Sequence, residues 1–149
     1  MRFLIQRVSE ASVRVDGKTI GQIGKGFLVF VGISGTDDRP TADWMIRKLL
    51  GLRIFEDENG KINKSVADVN GSILIVSQFT LYWNCKKGNR PSFENAMPPQ
   101  EAEEMYLKFV ERITETGIPY ATGEFGADMK VSLINDGPVT VWLDTKENL

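Results

Sequence analysis

The sequence predicts one α+β domain over residues 1–149, with layers of mostly antiparallel or mixed β-sheet and two main helices packed on one side. Three observations predict this class. Strand-like runs occur at the start, in the middle and at the end of the chain. Two segments between them have apolar residues at helical spacing, and no repeat, low-complexity segment or linker separates these parts.

The first third of the chain is predicted to form strands. Residues 3–8 alternate loosely between apolar and polar side chains, and residues 11–15 and 18–23 flank Asp16-Gly17. Asp-Gly favours the type I′ turn of a β-hairpin, in which both central residues have positive φ. The wholly apolar run 26–31 predicts a further strand near the centre of the sheet.

Two helices are predicted from apolar spacing and from their end signals. The first enters at Pro40 behind acidic residues and ends at Gly51, and the second opens at Pro98-Pro99 and stops before Gly117. The second apolar face is interpreted as core without a cofactor role. The predicted buried faces are Ala42, Met45, Ile46, Leu49 and Leu50 in the first helix and Ala102, Met105, Tyr106, Phe109, Val110 and Ile113 in the second.

The remaining elements are shorter. Strands are predicted at residues 52–55, 72–81, 122–125, 129–134 and 139–143, and a polar turn follows the first of them. Residues 83–98 are predicted to be a long polar loop. Because long ordered loops in small domains are often functional, this loop is a candidate part of a site.

The composition excludes several kinds of chemistry. The chain has no histidine, which excludes Ser-His and Cys-His nucleophile pairs and histidine-bound zinc. We predict no metal and no cofactor. The net charge is −2, so a nucleic-acid partner needs a local basic patch.

Cellular location is predicted from cysteine usage and hydropathy. A single cysteine, Cys85, provides no disulfide framework, which is typical of a reducing cytoplasm, and we interpret it as incidental to function. No apolar run approaches membrane-spanning length, and the N-terminal residues lack the features of a signal peptide. The sequence therefore predicts a cytoplasmic protein without a membrane partner.

Two polar segments are candidates for chemistry. Ser77-Gln78-Phe79-Thr80 follows the buried apolar run 73–76, where polar groups are costly unless they are hydrogen-bonded. Asn135-Asp136-Gly137-Pro138 joins two predicted strands. The first segment is either a strand end that runs into solvent or a site. The second is either a tight turn or a cis X-Pro turn whose carbonyl oxygens point together at an ammonium group.

Together, several motifs resemble those of the D-aminoacyl-tRNA deacylases, and the resemblance spans essentially the whole chain. They occur in the family's order and spacing. The motifs are Gln6-Arg7-Val8, Ala11-Ser12-Val13, Leu52-Arg53-Ile54-Phe55, Ser77-Gln78-Phe79-Thr80, Arg90-Pro91-Ser92-Phe93, Gly123-Glu124-Phe125-Gly126-Ala127-Asp128-Met129 and Asn135-Asp136-Gly137-Pro138-Val139-Thr140.

The resemblance implies hydrolysis of the ester that joins a D-amino acid, or glycine, to the 3′-terminal adenosine of tRNA. It implies a homodimer with a site at each subunit interface. Ser77, Gln78, Phe79 and Thr80 would form the catalytic wall, with backbone N–H groups facing the ester carbonyl. The partner's Gly137-Pro138 segment, with a cis bond, would bind the α-ammonium group and exclude L side chains.

The chemical step has two possible agents. Thr80 is a possible nucleophile, but an activated hydroxyl needs an adjacent base, and only Asp128 or Asp136 would be available if placed within reach. We prefer assistance by the ribose 2′-hydroxyl, with the protein positioning the ester and stabilising the oxyanion through backbone N–H groups.

The tRNA contacts are predicted at two further places. Phe125 and Met129 resemble the residues that hold the terminal adenine, and the alternative is that both belong to the core. Lys86, Lys87 and Arg90 would contact acceptor-stem phosphates, and the alternative is a solvated charged loop.

Two competing functions stay open. One is a sibling deacylase of the same fold that clears L-alanine from mischarged tRNA, which would carry different residues at Ser77-Gln78-Phe79-Thr80 and at Gly137. The other is a non-catalytic tRNA-binding module related to editing domains.

Overall fold

The computed structural model describes residues 1–148. Its central sheet has the order β2-β1-β3-β6-β7, and β8 pairs with β1 outside this path. Strand β6 runs parallel to β3 and to β7, while β1 is antiparallel to its three neighbours, so the sheet is mixed. The strands are β1 (Arg2–Val15), β2 (Lys18–Ile23), β3 (Gly26–Gly32), β4 (Phe55–Glu56), β5 (Ile62–Lys64), β6 (Ser72–Ser77), β7 (Tyr120–Thr122) and β8 (Lys130–Asp144).

The helices are α1 (Arg39–Gly51), α2 (Pro99–Glu115) and a short α3 (Thr145–Asn148), and one turn of 3₁₀-helix spans Phe79–Tyr82. Asp38 caps α1, since its carboxylate accepts a hydrogen bond from the backbone N–H of Thr41 at 2.9 Å. Within residues 1–148, no helix is long and apolar enough to cross a membrane.

The core lies on both faces of the sheet. One cluster contains the apolar faces of α1 and α2, so both helices pack on the same side of the sheet. The second cluster lies on the opposite face, where the C-terminal half of β1 and β2 cover residues of β3 and β6. Met105, Val110 and Leu50, predicted to be buried, are partly buried at the edge of the first cluster.

The predicted hairpin is confirmed, because Asp16 and Gly17 have φ of 49° and 77°. However, residues 3–8 and 11–15 form one continuous strand, β1, since β8 pairs along nearly its whole length. A strand at 52–55 is wrong except at Phe55, which belongs to the separate two-stranded β4-β5 sheet. The strand predicted at 122–125 lies earlier, as β7.

Two further corrections concern the candidate site. The strand predicted for residues 72–81 ends at Ser77, and the chain then forms the 3₁₀ turn. The strands predicted at 129–134 and 139–143 are a single strand, β8, so Asn135-Asp136-Gly137-Pro138 is not a hairpin turn between two strands. Both segments are shaped by neighbours that are distant in sequence.

Candidate active site

The candidate site lies at the edge of the sheet where parallel strands β3, β6 and β7 end. After β6, the N–H of Gln78 donates to the carbonyl oxygen of Val31 at 2.8 Å. After β7, the N–H of Gly123 donates to the carbonyl oxygen of Ile75 at 2.9 Å. The loops that follow β6 and β7 therefore start side by side, at the end of parallel strands where ligands commonly bind.

The 3₁₀ turn presents main-chain donors and one hydroxyl. The N–H groups of Phe79 and Thr80 are the first two of this turn, and such groups have no acceptor within a helical turn. The side-chain amide of Gln78 donates to Thr80 Oγ1. Ser77 is half-buried at the end of β6, whereas Phe79 is 57% exposed. The turn can therefore offer backbone donors to an oxyanion.

The turn packs tightly on β3 because β3 ends in glycine. A Cβ atom at Gly32 would lie 3.0 Å from Leu81 Cβ and 3.2 Å from the carbonyl oxygen of Gln78. A larger residue at this position would push the turn away from the sheet. The absence of a side chain at Gly32 thus allows the turn to lie close to β3.

Thr80 faces an open groove of about 590 Å³. The groove has apolar walls and few polar groups. Its lining residues are Leu4, Phe30, Gln78, Thr80, Leu81, Trp83, Pro91 and Phe93. A cavity of the same volume lies between α1 and α2, but it contains none of the predicted site residues.

The Gly137-Pro138 segment lies in a bulge of β8. In the pairing with β1, Gln6 is opposite Thr140 and Val8 is opposite Asn135, so residues 136–139 have only Arg7 across from them. The Gly137–Pro138 bond is cis, and Gly137 has a φ of 116°. Gly137 and Pro138 are exposed. Neither residue is among those that line the groove beside Thr80.

Arg7 holds this bulge, and its role was missed from the sequence. Its side chain is 6% exposed. Arg7 Nε donates to the carbonyl oxygen of Asp136 at 3.1 Å, and Nη1 donates to the carbonyl oxygen of Ile54 at 2.7 Å. The Asp136 carboxylate lies 3.5 Å from Nε. Arg7 follows Phe3 and Ile5 at the two-residue spacing of one buried strand face, and a charged residue at such a position was the signal that could have identified it.

Asn135 fixes the other side of the bulge. Its Nδ2 donates to the carbonyl oxygen of Arg7 at 3.1 Å and to that of Val139 at 2.9 Å. These bonds satisfy main-chain acceptors that the interrupted β1–β8 pairing leaves without strand partners. Arg7 and Asn135 together hold the bulge in one conformation and leave Gly137 and Pro138 at the surface.

Phe125 and Met129 lie in the loop after β7. Phe125 is half-buried, and its ring centroid is 5.8 Å from that of Tyr106. The hydroxyl of Tyr106 donates to the carbonyl oxygen of Ile75 at 3.1 Å, and burial raises the pKa of Tyr106. Met129 is half-buried against the other core cluster. Each residue thus has core contacts and an exposed part.

The loop 83–98 carries the predicted basic residues. Asn84 and Ser92 exchange two backbone hydrogen bonds of 2.9 Å, which close the loop at its base. Lys86, Lys87 and Arg90 lie beyond this bridge and are exposed. None of them forms an ion pair within the part of the chain that the structure describes.

Neither candidate carboxylate pairs with Thr80. Asp128 forms an ion pair with Lys130 at 2.7 Å, and Asp136 lies beside Arg7. Among the described residues, the hydrogen-bond partner of Thr80 Oγ1 is Gln78. Among residues 1–148, Thr80 therefore has no side-chain base.

Main-chain donors beside a half-buried threonine, on an open groove at the end of parallel strands, are components of an acyl-transfer site. Comparison with known proteins identifies the family. A family model described as D-Tyr-tRNA(Tyr) deacylase matches residues 4–144. The chain belongs to the D-Tyr-tRNA(Tyr) deacylase family, which is a family of enzymes.

The relatives agree with this assignment. A D-aminoacyl-tRNA deacylase of Geobacter sulfurreducens is 60% identical, with 98% of this chain and 96% of the relative covered. A D-aminoacyl-tRNA deacylase of Thermomicrobium roseum is 56% identical, with 99% of this chain and 96% of the relative covered. A solved structure named c-Myc DNA Unwinding Element Binding Protein is 46% identical, with a TM-score of 0.92, and 97% and 99% of the two chains are covered.

A second solved structure shows the fold alone. It is a probable eukaryotic D-amino acid tRNA deacylase, 20% identical to this chain, with a TM-score of 0.78 over 95% of this chain and 97% of that one. The mixed sheet with its helices is therefore shared at low sequence identity.

Proposed function

We propose that this enzyme hydrolyses the ester bond of D-aminoacyl-tRNA and of glycyl-tRNA in the cytoplasm, without a cofactor. The products are a free D-amino acid, or glycine, and a tRNA with a free 3′-hydroxyl. The observation that carries the proposal is the family match over residues 4–144, which includes every predicted site residue. The resemblance seen in the sequence and the groove beside Thr80 support the same activity.

In the proposed mechanism, water attacks the ester carbonyl carbon, and the bond from that carbon to the ribose 3′-oxygen breaks. The N–H groups of Phe79 and Thr80 stabilise the oxyanion, because they are preorganised donors with no acceptor in their own turn. The ribose 2′-hydroxyl assists the water, since Thr80 has no side-chain base among the described residues. Gln78 orients the Thr80 hydroxyl.

Chirality is read by main-chain groups of the β8 bulge. The carbonyl oxygens around Gly137 and Pro138 bind the substrate's α-ammonium group, and the same segment clashes with an L side chain. Arg7 and Asn135 support this role because they fix the bulge from the side of the protein interior. Glycine has no side chain to clash, so glycyl-tRNA is also accepted.

The bulge acts on the groove of a second copy of the chain. Gly137 and Pro138 do not line the groove of their own protomer, so a complete site needs a homodimer. A contiguous apolar surface supports this assembly, since Leu4 pairs in register with Phe30 on one side and with Trp142 on the other. Trp142 is 40% exposed and Trp83 is 59% exposed, as expected for a surface that a partner covers.

The tRNA end is held on both sides of the groove. The exposed edge of Phe125, together with Met129, contacts the terminal adenine, because aromatic faces commonly stack on unpaired bases. Lys86, Lys87 and Arg90 contact phosphates of the acceptor stem. Their lack of ion-pair partners in the described chain leaves their charges available to the nucleic acid.

Removing two of these charges is expected to weaken tRNA binding. In the double variant Lys86→Ala and Lys87→Ala, binding should release fewer counterions, because two phosphate contacts are missing. The slope of log K against log salt should therefore become shallower by about 1.4–1.8. The measurement is tRNA affinity at several salt concentrations. Lys18→Ala with Lys61→Ala removes two exposed charges elsewhere and should leave the slope unchanged. An unchanged slope in the first variant would refute the phosphate contact.

The proposed activity is tested with two substrates. D-tyrosyl-tRNA should be hydrolysed, and L-tyrosyl-tRNA should remain intact under the same conditions. A non-catalytic tRNA-binding module would bind both and hydrolyse neither. Hydrolysis of L-alanyl-tRNA without activity on D-tyrosyl-tRNA would assign the chain to the sibling deacylases instead.

A further inference from the structure

Arg2 connects the first strand to the 3₁₀ turn of the candidate site. In register, Arg2 pairs with Gly32 of β3 and with Asp144 of β8. Its Nη1 donates to the carbonyl oxygen of Leu81 at 2.7 Å, which lies in the 3₁₀ turn. Its guanidinium carbon lies 4.4 Å from the ring centroid of Tyr82, the last residue of that turn. Arg2 thus contacts two of the four residues of the turn.

The turn needs such a contact. A single turn of 3₁₀-helix has few internal hydrogen bonds, and its last carbonyl groups have no partner within the turn. The Leu81 N–H to Gln78 bond is long, at 3.3 Å, and Trp83 N–H to Thr80 measures 3.1 Å. Arg2 supplies a charged donor to the Leu81 carbonyl at the C-terminal end of the turn, where the dipoles of the peptide groups favour a cation.

Arg2 is itself held in one orientation. Its Nε donates to Asp144 Oδ2 at 2.8 Å, and the Asp144 side chain is 2% exposed. Asp144 Oδ1 accepts a hydrogen bond from the N–H of Lys146 at 2.9 Å, and the Asp144 N–H donates to Asn148 Oδ1 at 3.0 Å. The guanidinium group therefore joins a buried, hydrogen-bonded carboxylate to the 3₁₀ turn, as a planar fork with several donors can do.

Gly32, the register partner of Arg2 on β3, also packs against the turn, since a Cβ atom there would lie 3.3 Å from Tyr82 Cε2. Close packing on β3 fixes the distance of the turn from the sheet, but a glycine supplies no directional bond. Arg2 supplies that direction. Because the same turn carries Thr80 and the N–H groups of Phe79 and Thr80, its orientation sets where those donors point.

We propose that Arg2 is a positioning residue for deacylation, which aligns the oxyanion donors of the 3₁₀ turn through its bond to the Leu81 carbonyl. The inference rests on the proposed function for its link to catalysis. Arg2 is outside the set of residues that line the groove. It acts through the turn and makes no contact with the substrate.

The test compares Arg2→Met with the wild type on D-tyrosyl-tRNA. Methionine keeps an unbranched apolar chain beside Tyr82 but has no donor for Leu81. We expect kcat to fall at least tenfold while KM changes less than twofold, since donor alignment affects the transition state more than tRNA binding. Arg2→Lys should recover part of kcat, because one ammonium group can bond Leu81 but cannot also reproduce the planar fork to Asp144.

Two controls separate positioning from general stability. Arg14→Met removes an arginine from the same strand whose bond is to the Gly17 carbonyl at 3.3 Å, away from the turn, and should keep the wild-type kcat. Ile113→Val weakens the helix-side core without touching the turn, and its kcat should also be unchanged in the folded enzyme. An unchanged kcat in folded Arg2→Met, or an equal loss in Ile113→Val, would overturn the proposal.

Hydrogen exchange tests the same contact without any activity. In Arg2→Met, the amides of Leu81 and Trp83 should exchange faster than in the wild type, while those of Ile73–Val76 in β6 should not change. Unaltered exchange at Leu81 and Trp83 would contradict the inference even if the enzyme is active. If the wild type hydrolyses neither tyrosyl-tRNA, the proposed function fails, and the exchange result still decides whether Arg2 holds the turn.

Discussion

Replacing the 2′-hydroxyl of the terminal adenosine by hydrogen is expected to lower the rate of D-tyrosyl-tRNA hydrolysis by about 10²–10⁴-fold, the usual range of general acid–base assistance. The enzyme has no histidine, and Thr80 Oγ1 is bonded to the side-chain amide of Gln78. Asp128 and Asp136 are paired with Lys130 and Arg7. In the proposed mechanism, the 2′-hydroxyl of the substrate therefore assists the attacking water. The measurement is single-turnover hydrolysis of the two tRNAs at saturating enzyme.

Thr80→Ala is the matching change on the protein. It removes the hydroxyl but keeps the backbone N–H that stabilises the oxyanion, so the rate should stay within about tenfold of the wild type. Gln78 is only half-buried, so its amide can bond to water instead. A completely inactive Thr80→Ala that still folds and binds tRNA would assign the chemistry to the threonine. Normal hydrolysis of the 2′-deoxy substrate would exclude the substrate-assisted mechanism.

Local chemistry explains which parts of the fold could be predicted. Asp16-Gly17 forms the predicted hairpin turn because its two residues can both adopt positive φ, which depends on no distant contact. Helix α1 begins at Arg39, directly after its N-cap residue Asp38, and α2 begins at Pro99. Both starts agree with the end signals in the sequence. These elements could be predicted because their turn and cap residues act on the backbone next to them.

The site segments depend on contacts that the sequence does not display. The chain leaves β6 after Ser77 because the turn packs on Gly32 and is bonded by Arg2, which are 45 or more positions away along the chain. The bulge of β8 likewise depends on its pairing with β1 and on Arg7. The strand predicted through Leu81 was wrong for this reason, since β6 ends at Ser77 and the 3₁₀ turn follows.

Sheet topology brings together some segments that carry candidate site residues. Phe125 and Ser77 are separated by a helix and a long loop, yet parallel pairing of β6 with β7 brings their loops together. Gly137 does not line the groove that Thr80 lines. The sequence motifs therefore name the candidate residues, whereas sheet topology decides which of their segments lie side by side.

The Gly137→Ala variant is expected to lose about 100-fold in the rate of D-tyrosyl-tRNA hydrolysis, the order of loss produced by a displacement of about 1 Å in a positioning group. A Cβ atom at this position would lie 2.6 Å from Arg7 Nη2 and 3.1 Å from Val139 Cγ2. Arg7 cannot move away freely, because it is buried and bonded to the carbonyl oxygens of Asp136 and Ile54. The bulge must shift instead, and its carbonyl oxygens move with it.

Gly60→Ala is the matched control for backbone strain. Gly60 also has positive φ, at 72°, but a Cβ atom there would meet nothing within 4 Å. Both variants should lose about 1 kcal/mol of stability from the left-handed backbone alone, measurable by thermal or urea unfolding. Only Gly137→Ala should also lose activity, and its ratio of D- to L-tyrosyl-tRNA hydrolysis should fall. A folded Gly137→Ala enzyme with the wild-type rate and ratio would show that this bulge does not read the stereocentre.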